Sequence, residues 1–415
     1  MKGYAVRDAM NGIAEPAGKT WFWELDAAVI EPGRCVQCGT CVAVCPSNSL
    51  GVNLFTNLPE LIKMCTGCSL CWDFCPRGGL RYEATWPTPE GAPADPADAA
   101  ADDAWKLTGT PASAGLGIID EMWSVRSTAE VPGRQDGGAV TAILAALLEA
   151  GAIDGAVVSK PSSDPAEPWK GVATVATSVE ALQAAAGSFY NQTMALASLD
   201  LSGVDLPASP TLAVVGTPCE VEGLRAIQGA GWSTGAHDTG AVRLSIALLC
   251  TKSFDYEALM VRELRDRRGI DLNAVAKVDV TRGRLLVELH DGTVAVDEPV
   301  RAFHGAALKG CDECADFLGR AADLSVGSVG SPPGWTTVLV RSQAGKDALD
   351  VARSALELKP LEDVAALLRL DALDKKVAAG ALKRPFDPDG PLFIDFERHV
   401  SMYRETDRAP VVIRR

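Results

Sequence analysis

The feature of this sequence that most restricts its fold is a cysteine pattern that occurs twice within 41 residues. The first copy reads Cys35-x2-Cys38-x2-Cys41-x3-Cys45-Pro46 and the second reads Cys65-x2-Cys68-x2-Cys71-x3-Cys75-Pro76. The N-terminal residues contain no apolar core of signal-peptide length, so we expect a cytoplasmic chain whose thiols stay reduced. Eight reduced thiols so close together are expected to bind metal.

The spacing selects one kind of metal site. Three cysteines on a tight loop, with a fourth directly before proline, are typical of bacterial two-cluster 4Fe–4S ferredoxins, in which the fourth cysteine ligates the other cluster. Gly39 and Gly67 suit a backbone folded closely over the cluster sulfur. Zinc knuckles or unliganded core thiols are the alternatives, but zinc sites use paired C-x2-C knuckles. The predicted ligand sets are therefore Cys35, Cys38, Cys41 and Cys75 for one cluster and Cys45, Cys65, Cys68 and Cys71 for the other.

Four further cysteines are dispersed along the chain. Cys219 and Cys250 each follow an apolar run that predicts a buried strand, and Cys311 and Cys314 form a C-x2-C pair. Scattered cysteines usually belong to the core. A C-x2-C pair in a cytosolic chain more often binds metal or reacts, and four cysteines make one complete ligand set. The spacing thus favours a third cluster over core packing.

Composition and charge exclude several classes of function. The 415 residues carry a net charge of −15, with 47% hydrophobic residues. Binding to nucleic acid or to an anionic membrane surface is not expected for so acidic a chain. The longest apolar stretch, 139–158, is interrupted by Glu149 and Asp154, so no direct membrane insertion is expected.

The order of elements predicts an α+β or α/β protein. We expect a small two-cluster ferredoxin-like domain, a linker rich in Pro, Ala and Asp that separates it from the rest, and a mixed α/β domain. Helices are expected at 137–150, near 178–186, near 219–229 and at 255–268, strands at 155–159, 211–215 and 243–250, and hairpin turns at Arg282-Gly283 and Asp291-Gly292. The predicted boundaries are 1–24 for an N-terminal tail, 25–85 for the ferredoxin-like domain, 86–114 for the linker, 115–345 for the mixed α/β domain, and 346–415 for a helical C-terminal segment.

Two glycine-containing segments are candidates for holding a phosphate or a flavin. Gly137-Gly138 opens a predicted helix, where free amides and the helix dipole attract an anion. Gly187-Ser188-Phe189-Tyr190 combines small, polar and aromatic residues at a predicted turn. A Gly-Gly pair before a helix is more often only a turn. Neither segment is the G-x-G-x-x-G fingerprint of a dinucleotide site.

Several segments together resemble one family, the beta subunits of coenzyme F420-reducing hydrogenase and of F420-dependent formate dehydrogenase. The resemblance covers roughly residues 30 to 345, about the size of two domains. The tail beyond it matches no family known to us. The segments that carry the resemblance are Arg134-Gln135-Asp136-Gly137-Gly138-Ala139-Val140-Thr141, Gly187-Ser188-Phe189-Tyr190, Gly216-Thr217-Pro218-Cys219-Glu220, Cys250-Thr251-Lys252-Ser253-Phe254, Cys311-x2-Cys314-Ala315-Asp316-Phe317 and 322–330.

The resemblance implies an iron–sulfur flavoprotein in which FAD exchanges a hydride with coenzyme F420 and clusters carry single electrons to a partner subunit. It implies that residues 115–345 form a flavin- and coenzyme-binding α/β domain with a third cluster. The implied ligands of that cluster, beside the flavin, are Cys219, Cys250, Cys311 and Cys314. Lys252, two residues beyond one of these cysteines, is a candidate catalytic residue that favours an anionic reduced flavin or binds an acidic coenzyme; a solvated lysine is the alternative. The implied flavin and coenzyme contacts are Arg134, Gly137, Gly138, Thr141, Gly187, Ser188, Tyr190, Thr217, Pro218, Thr251 and Lys252.

The implied partner is a redox subunit of hydrogenase, formate dehydrogenase or heterodisulfide-reductase type, or a ferredoxin. Because a 4Fe–4S centre takes one electron at a time and a hydride carries two, a flavin is the natural converter between them. Two alternatives remain. The same electron path can serve NAD(P)H, ferredoxin or an organic substrate, or the chain can be an electron-transfer adaptor without a small-molecule substrate of its own.

Overall fold

The computed structural model describes residues 20–79, 116–117, 119–230 and 235–381. The predicted tail up to residue 19, the predicted linker 86–114 and the end of the chain after residue 381 lie outside them. In the described part, the helices are α1 (Phe22–Leu25), α2 (Thr40–Ala43), α3 (Leu70–Asp73), α4 (Ala139–Glu149), α5 (Val179–Ala184), α6 (Pro218–Ala230), α7 (Gln343–Val351) and α8 (Val364–Ala381), with π-helices at Asp26–Ile30 and Glu257–Asp266. None of these helices has the length and apolarity needed to cross a membrane.

An eight-stranded mixed sheet forms the centre of the molecule, which confirms the prediction of a mixed α/β protein. Its strands are β3 (Glu121–Ser127), β4 (Gly155–Pro161), β5 (Gly171–Ala176), β6 (Leu212–Gly216), β7 (Val242–Leu248), β11 (Leu324–Gly327), β12 (Thr336–Val340) and β13 (Leu356–Pro360). Their order across the sheet is β13-β3-β12-β11-β7-β6-β4-β5. The neighbours β4, β6, β7 and β11 run parallel, and β5, β12 and β13 run antiparallel to the strands beside them.

Burial on both faces explains the apolar runs that predicted the central strands. In β6 every residue but Val215 is buried, and all five residues of β12 are buried. Helix α4 covers one face through Ala139, Ile143 and Leu147, whose spacing places them on one side of the helix. On the other face a separate core cluster surrounds Val157 and Val214. Continuous apolar strands of this kind are typical of parallel sheets covered on both sides.

A second, smaller sheet lies beside the central one. Its three strands, β8 (Val275–Thr281), β9 (Arg284–Leu289) and β10 (Val294–Pro299), form a meander in the order β10-β9-β8. Arg282 and Gly283 both have positive φ, as a two-residue hairpin turn of type I′ requires. Both hairpin turns therefore lie where the sequence predicts them. The apolar face of this sheet packs against the π-helix Glu257–Asp266 around Leu264.

The cysteine-rich module is built from α1, α2, α3 and the hairpin of β1 (Leu50–Asn53) with β2 (Leu58–Leu61). It is not set apart from the remainder of the chain, contrary to the expectation of a linker-separated domain. Val44 and Phe74 belong to the same core cluster as Val214 and Leu224 of the central sheet and α6. A side chain at Gly39 would contact the backbone of Met194 and Ala197 at 3.0–3.4 Å. Shared apolar burial, which local sequence does not reveal, makes the module part of one core.

The expectation of a helical segment after residue 345 is only partly correct. Helices α7 and α8 are present, but between them the chain forms β13, which pairs with β3 at the edge of the central sheet. Only Leu356 of this short strand is buried, so its sequence carries little of the alternation of apolar and polar residues that would predict a strand. Helix α8 then returns across the molecule, and Leu367 is fully buried with Phe317 and Leu318.

Candidate functional site

The eight cysteines of the repeated pattern line two separate cavities, each built from both copies. Around the first cavity, α2 supplies Cys41, the loop before it supplies Cys35 and Cys38, and the second copy supplies Cys75. Around the second cavity, α3 supplies Cys71, the loop before it supplies Cys65 and Cys68, and the first copy supplies Cys45. The two sets are called the first and second cysteine sets below. This is the crossed arrangement that the spacing predicts.

Left-handed backbone turns aim amide groups at the cysteine sulfurs. In the first copy Gln37 and Gly39 have φ values of 54° and 76°, and in the second copy Gly67 and Ser69 have φ values of 65° and 70°. The Gln37 amide donates to Cys35 Sγ over 3.4 Å, and the Gly67 amide donates to Cys65 Sγ over the same distance. Such amide donors stabilise negative charge on the ligating sulfur. The loops are thus arranged as the backbone cradle of an anionic cluster.

Burial disfavours the thiolate form of Cys38 and Cys41 when no metal is bound. It raises the pKa of Cys38 to about 12, and it raises the pKa of Cys41, an effect that the neighbouring thiols Cys35 and Cys38 reinforce. Metal binding must therefore displace protons. Among the described residues, no three His, Cys, Asp or Glu side chains are grouped closely enough to hold a single metal ion. The donor chemistry, four thiols around each cavity with amide groups aimed at sulfur, fits a cluster.

The four dispersed cysteines lie close to one another. Cys219 is the second residue of α6, close to the end of β6, and Cys250 follows β7. A 3₁₀ turn, Lys309–Glu313, carries Cys311, and Cys314 follows it. Burial is the main cause of the raised pKa of Cys250, and the neighbouring Cys311 and Cys314 add to it. Burial also raises the pKa of Cys219, with further contributions from Cys38, Glu220 and Cys314. We call these four the third cysteine set.

The third set adjoins the first. Cys38, Cys219 and Cys311 pack together with Val36. Hydrogen bonds fix the loops that carry the third set: Leu308 N donates to Ser253 O over 2.9 Å, and Cys250 N donates to Phe317 O over 3.1 Å. Thr217 Oγ1 lies 3.1 Å from Cys219 Sγ. The third set therefore lies between the cysteine-rich module and the central sheet.

The candidate flavin residues gather at the edge of the central sheet where its parallel strands end. The loop after β3 carries Arg134 to Gly138, the loop after β6 carries Thr217, and the loop after β7 carries Thr251 and Lys252. At the same edge, Oδ1 of Asn191, the residue after Tyr190, accepts a hydrogen bond of 2.8 Å from the Gly171 amide. Ligands of open α/β sheets bind in the crevice outside the carboxyl ends of the strands. The third cysteine set lies at this edge too.

The glycine-rich loop before α4 has one packed and one open glycine. A side chain on Gly137 would collide with Val125 O and with Thr336 N, so its absence is required by packing. Gly138 has a φ of 70° and caps α4, with Thr141 half-buried in the first turn of that helix. The Arg134 side chain is exposed, and within the described residues no acceptor pairs with it. The helix start and Arg134 together offer a site for an anion.

The segment from Gly187 to Tyr190 adjoins this loop. Gly187 is exposed, with a φ of 127°, and a side chain on it would lie 3.2 Å from Gly133 O. Ser188 next to it is half-buried. The Tyr190 hydroxyl accepts a hydrogen bond of 2.8 Å from Val280 N and lies 3.4 Å from Asp279 Oδ1. Tyr190 thus joins the segment to β8, and the ring lies edge-on to Phe254.

Lys252 is held beside the third cysteine set. Its ammonium forms an ion pair with Asp312, which lies between Cys311 and Cys314. Thr251 next to it is half-buried, and Pro218 is buried as the first residue of α6. Gln192 connects the surrounding loops, because its Nε2 donates to Thr217 Oγ1 over 2.6 Å and its Oε1 accepts from Ser253 over 2.8 Å.

Sequence reasoning missed the buried charges at the centre of the site. Arg77, directly after Cys75-Pro76, is 1% exposed. Arg34 and Glu313 form a two-point ion pair, with N–O distances of 2.6 and 2.8 Å. Glu222, also buried, has its pKa raised to about 8 by burial and by Asp316. Arg34 directly precedes Cys35, Arg77 directly follows Cys75-Pro76, and Glu313 directly precedes Cys314. These positions beside candidate ligands are the signal that could have drawn attention to the three residues.

Comparison with known proteins identifies the family. Residues 27–76 match the model of a 4Fe-4S dicluster domain. Residues 122–200 match the model for the N-term of the coenzyme F420 hydrogenase/dehydrogenase beta subunit, and residues 210–364 match the model for its C terminus. These last two models divide the central sheet between them.

Curated relatives and a solved structure agree with this match. The coenzyme F420 hydrogenase subunit beta of Methanothermobacter thermautotrophicus is 34% identical over 257 residues, which cover 60% of this chain and 87% of that protein. The coenzyme F420-dependent sulfite reductase of Methanocaldococcus jannaschii is 31% identical over 375 residues, 86% of this chain but only 52% of that protein, so the chain spans about half of its length.

A chain of the F420-reducing [NiFe] hydrogenase complex from Methanosarcina barkeri superposes with a TM-score of 0.57 at 30% identity, covering 64% of this chain and 90% of that one. Sequence matches on both sides of the central sheet and a shared fold lead to one conclusion. The chain is an oxidoreductase that belongs to the family of coenzyme F420 hydrogenase/dehydrogenase beta subunits, with a 4Fe-4S dicluster domain at its N-terminal side.

Proposed function

We propose that this chain exchanges a hydride between a bound FAD and coenzyme F420 and conducts the electrons singly through three 4Fe–4S clusters to or from a partner protein. One observation carries the proposal: the third cysteine set lies between the first set and the sheet edge where the candidate flavin residues gather. When bound, a flavin accepts electrons in pairs and passes them on singly. The order of these parts along the chain supports that conversion.

The three cysteine sets support a continuous electron path. Cys219 of the third set packs against Cys38 of the first. The first and second sets also lie close to each other. Burial and the thiols of the first set are the larger causes of the raised pKa of Cys41, and Cys71 of the second set adds to them. The second set lies near the protein surface, because Met64, the residue before Cys65, is 80% exposed. The proposed path runs from the sheet edge through the third and first sets and leaves the chain near the second.

The proposed flavin contacts are those of the exposed sheet edge. Arg134, Gly138 and the start of α4 would bind the phosphates, since a helix start and a free guanidinium both favour anions. Gly187 and Ser188 would lie against the ring system. Because the Tyr190 hydroxyl already bonds to β8, its role in the proposal is to hold this segment in place.

Lys252 is the proposed contact to the acidic coenzyme or to the reduced flavin. Its side chain is 20% exposed beside the third cysteine set, and the ion pair with Asp312 fixes its position. A cation at this place favours negative charge beside it. The Lys252 ammonium is thus proposed to stabilise the charge that a hydride brings in.

Names of relatives suggest the partner class. The relatives include subunits of coenzyme F420 hydrogenases, an F420-dependent sulfite reductase and a subunit of F(420)H(2) dehydrogenase. We propose that this chain also passes electrons to a separate redox protein or domain.

An anaerobic reduction experiment tests the proposal. Purified holoprotein is mixed in turn with reduced coenzyme F420, NADH and NADPH, and the bleaching of flavin and cluster absorbance is followed. Rapid bleaching by reduced F420 alone is expected. Bleaching by a nicotinamide instead would refute the F420 assignment. A response to dithionite only would favour an electron-transfer adaptor.

A variant locates the reaction in this chain. Lys252→Gln removes the proposed cation and is expected to slow bleaching by reduced F420 at least tenfold, while reduction by dithionite keeps its wild-type rate. Lys359→Gln is the matched control, because Lys359 lies on β13 and pairs with Glu362. Equal rates in the two variants would show that Lys252 does not act in hydride exchange.

A further inference from the structure

Arg77 is a buried cation with little local compensation. Its side chain is 1% exposed, and its Nη1 donates to Pro76 O over 2.8 Å. Within the part of the chain that the structure describes, Nε and Nη2 have no hydrogen-bond partner. Burying an incompletely paired charge is costly, so such a group persists where surrounding charges balance it.

The acidic groups that surround Arg77 are two carboxyl groups and two thiols of the third cysteine set. Burial by itself lowers the pKa of Arg77, but Cys314, Glu313, Glu222 and Cys219 raise it above its ordinary value. The guanidinium also acts on the thiols. It lowers the pKa of Cys314 and Cys311 in the third set and of Cys75 and Cys35 in the first, in each case against the larger effect of burial. Its position directly after Cys75 and Pro76, together with these effects on the thiols, places Arg77 near both sets.

A hydrogen-bonded clamp holds Arg77 in this position. Arg34 Nη2 donates to Arg77 O over 3.1 Å and to Glu313 over 2.8 Å. Glu313 directly precedes Cys314, so the clamp ties the segment after Cys75 to the loop of the third set. The Arg77 amide also donates to Cys75 Sγ over 3.4 Å. Backbone and side chain of Arg77 are thus fixed between the two sets.

We propose that Arg77 is a shared positioning residue that raises the reduction potentials of the clusters on the first and third cysteine sets and has little effect on the second. The inference rests on the proposed occupancy of these sets. Reduction adds one electron and one negative charge to a cluster, with no bond made or broken, and the guanidinium keeps its proton. A fixed positive charge favours the reduced state, more strongly where water is excluded. Arg77 would thereby favour reduction of both the first-set and the third-set cluster on the proposed path.

Redox titration of the holoprotein tests this role. The anaerobic protein is titrated with dithionite, and each cluster is followed by its EPR signal. In Arg77→Gln, two midpoint potentials are expected to shift to more negative values, and the third, from the second cysteine set, is expected to stay in place. Cys45→Ser identifies the signal of the second set beforehand. Arg225→Gln is the matched control, since Arg225 is bound by Gln228, Ser245, Ala321 and Asp323, and no potential should move.

Two results would overturn the inference. Unchanged potentials in Arg77→Gln at full iron content would show that the charge has no effect, and an equal shift of all three signals would show a general disturbance. Should Arg77→Gln bind too little iron, Arg77→Met carries the test, because it also removes the charge but keeps an unbranched side chain; the same two potentials should shift to more negative values. Unchanged potentials in that variant at full iron content would refute the role.

The iron content separates this inference from the proposed function. A chain with about eight iron atoms instead of about twelve would lack the cluster on the third set. That result would contradict the proposed path but would leave the expected shift of the first-set potential testable. A chain with all three clusters and no response to Arg77 would leave the path intact and refute only the role of Arg77.

Discussion

At the scale of single residues, buried charges hold the cysteine-rich module on the central sheet. Arg34 reaches from the module to Glu313 across 279 positions of sequence, and their side chains are only 8% and 12% exposed. A pair so buried contributes little when both partners are present, because desolvation offsets their attraction. Removal of one partner leaves an uncompensated charge. The pair therefore matters more for positioning the loop of Cys311 and Cys314 than for net stability.

Glu313→Gln is expected to lower the free energy of unfolding by about 3–5 kcal/mol, the usual cost of breaking a buried ion pair. Denaturant unfolding of the anaerobic holoprotein measures it. Glu357→Gln is the matched control, because Glu357 and its partner Arg126 are 47% and 40% exposed. An exposed pair contributes about 1 kcal/mol or less. Equal losses in the two variants would contradict the role of the buried pair.

His237 links stability to pH. Burial lowers the pKa of this side chain below its ordinary value of 6.5, against the opposing effect of Asp200. The folded protein therefore binds fewer protons than the unfolded chain below about pH 6.5, and the free energy of unfolding falls as the pH drops through that range. His237→Gln should flatten this dependence. Thermal unfolding of both proteins between about pH 5 and 7 measures it, and parallel curves would contradict the prediction.

At the scale of elements, the loop before α4 shows why a glycine pair serves two purposes. Gly137 is enclosed by β3 and β12, whereas Gly138 adopts a left-handed conformation that begins the helix. The sequence indicates a turn or an anion site here and gives no sign of a packing role. Contact with two strands of the sheet, visible only in three dimensions, accounts for the first of the two glycines.

Gly137→Ala is therefore expected to lower the free energy of unfolding by about 1–3 kcal/mol, because the added methyl group collides with Val125 O and Thr336. The free energy comes from denaturant unfolding of the holoprotein. Gly203→Ala serves as the control, since a side chain there meets nothing within 4 Å. An exposed substitution of this kind changes stability by about 0.5 kcal/mol or less. An unchanged free energy of unfolding in Gly137→Ala would mean that the loop can shift to accommodate the methyl group.

At the scale of the whole molecule, the order of the three cysteine sets predicts an order of electron flow. The third set adjoins the sheet edge, the first set adjoins the third, and Cys45 belongs to the second set, the farthest along the path. Loss of the last cluster should stop electrons from leaving the chain without preventing their entry.

Cys45→Ser is expected to remove about four iron atoms, the content of one cluster, although Cys45 lies in the first copy of the motif. Reduced coenzyme F420 should still bleach the remaining chromophores at the wild-type rate, while reduction of an added protein acceptor becomes slow. Iron analysis and stopped-flow absorbance measure the two effects. Cys219→Ser provides the comparison, since it should slow entry into the clusters. Loss of both clusters in Cys45→Ser would argue against the separate cavities.

Local spacing was enough to predict the parts of this protein. The repeated cysteine pattern predicted two crossed sets because each loop needs only a few residues to set its geometry, and the apolar runs predicted the helices and strands around Cys219 and Cys250. How these parts meet became visible in three dimensions. The contact of the third set with the first, the pairing of β13 with β3 at the edge of the sheet, and the burial of Arg77 depend on residues far apart in sequence. Electrostatic and packing interactions act through space, and a single sequence does not specify those distances directly.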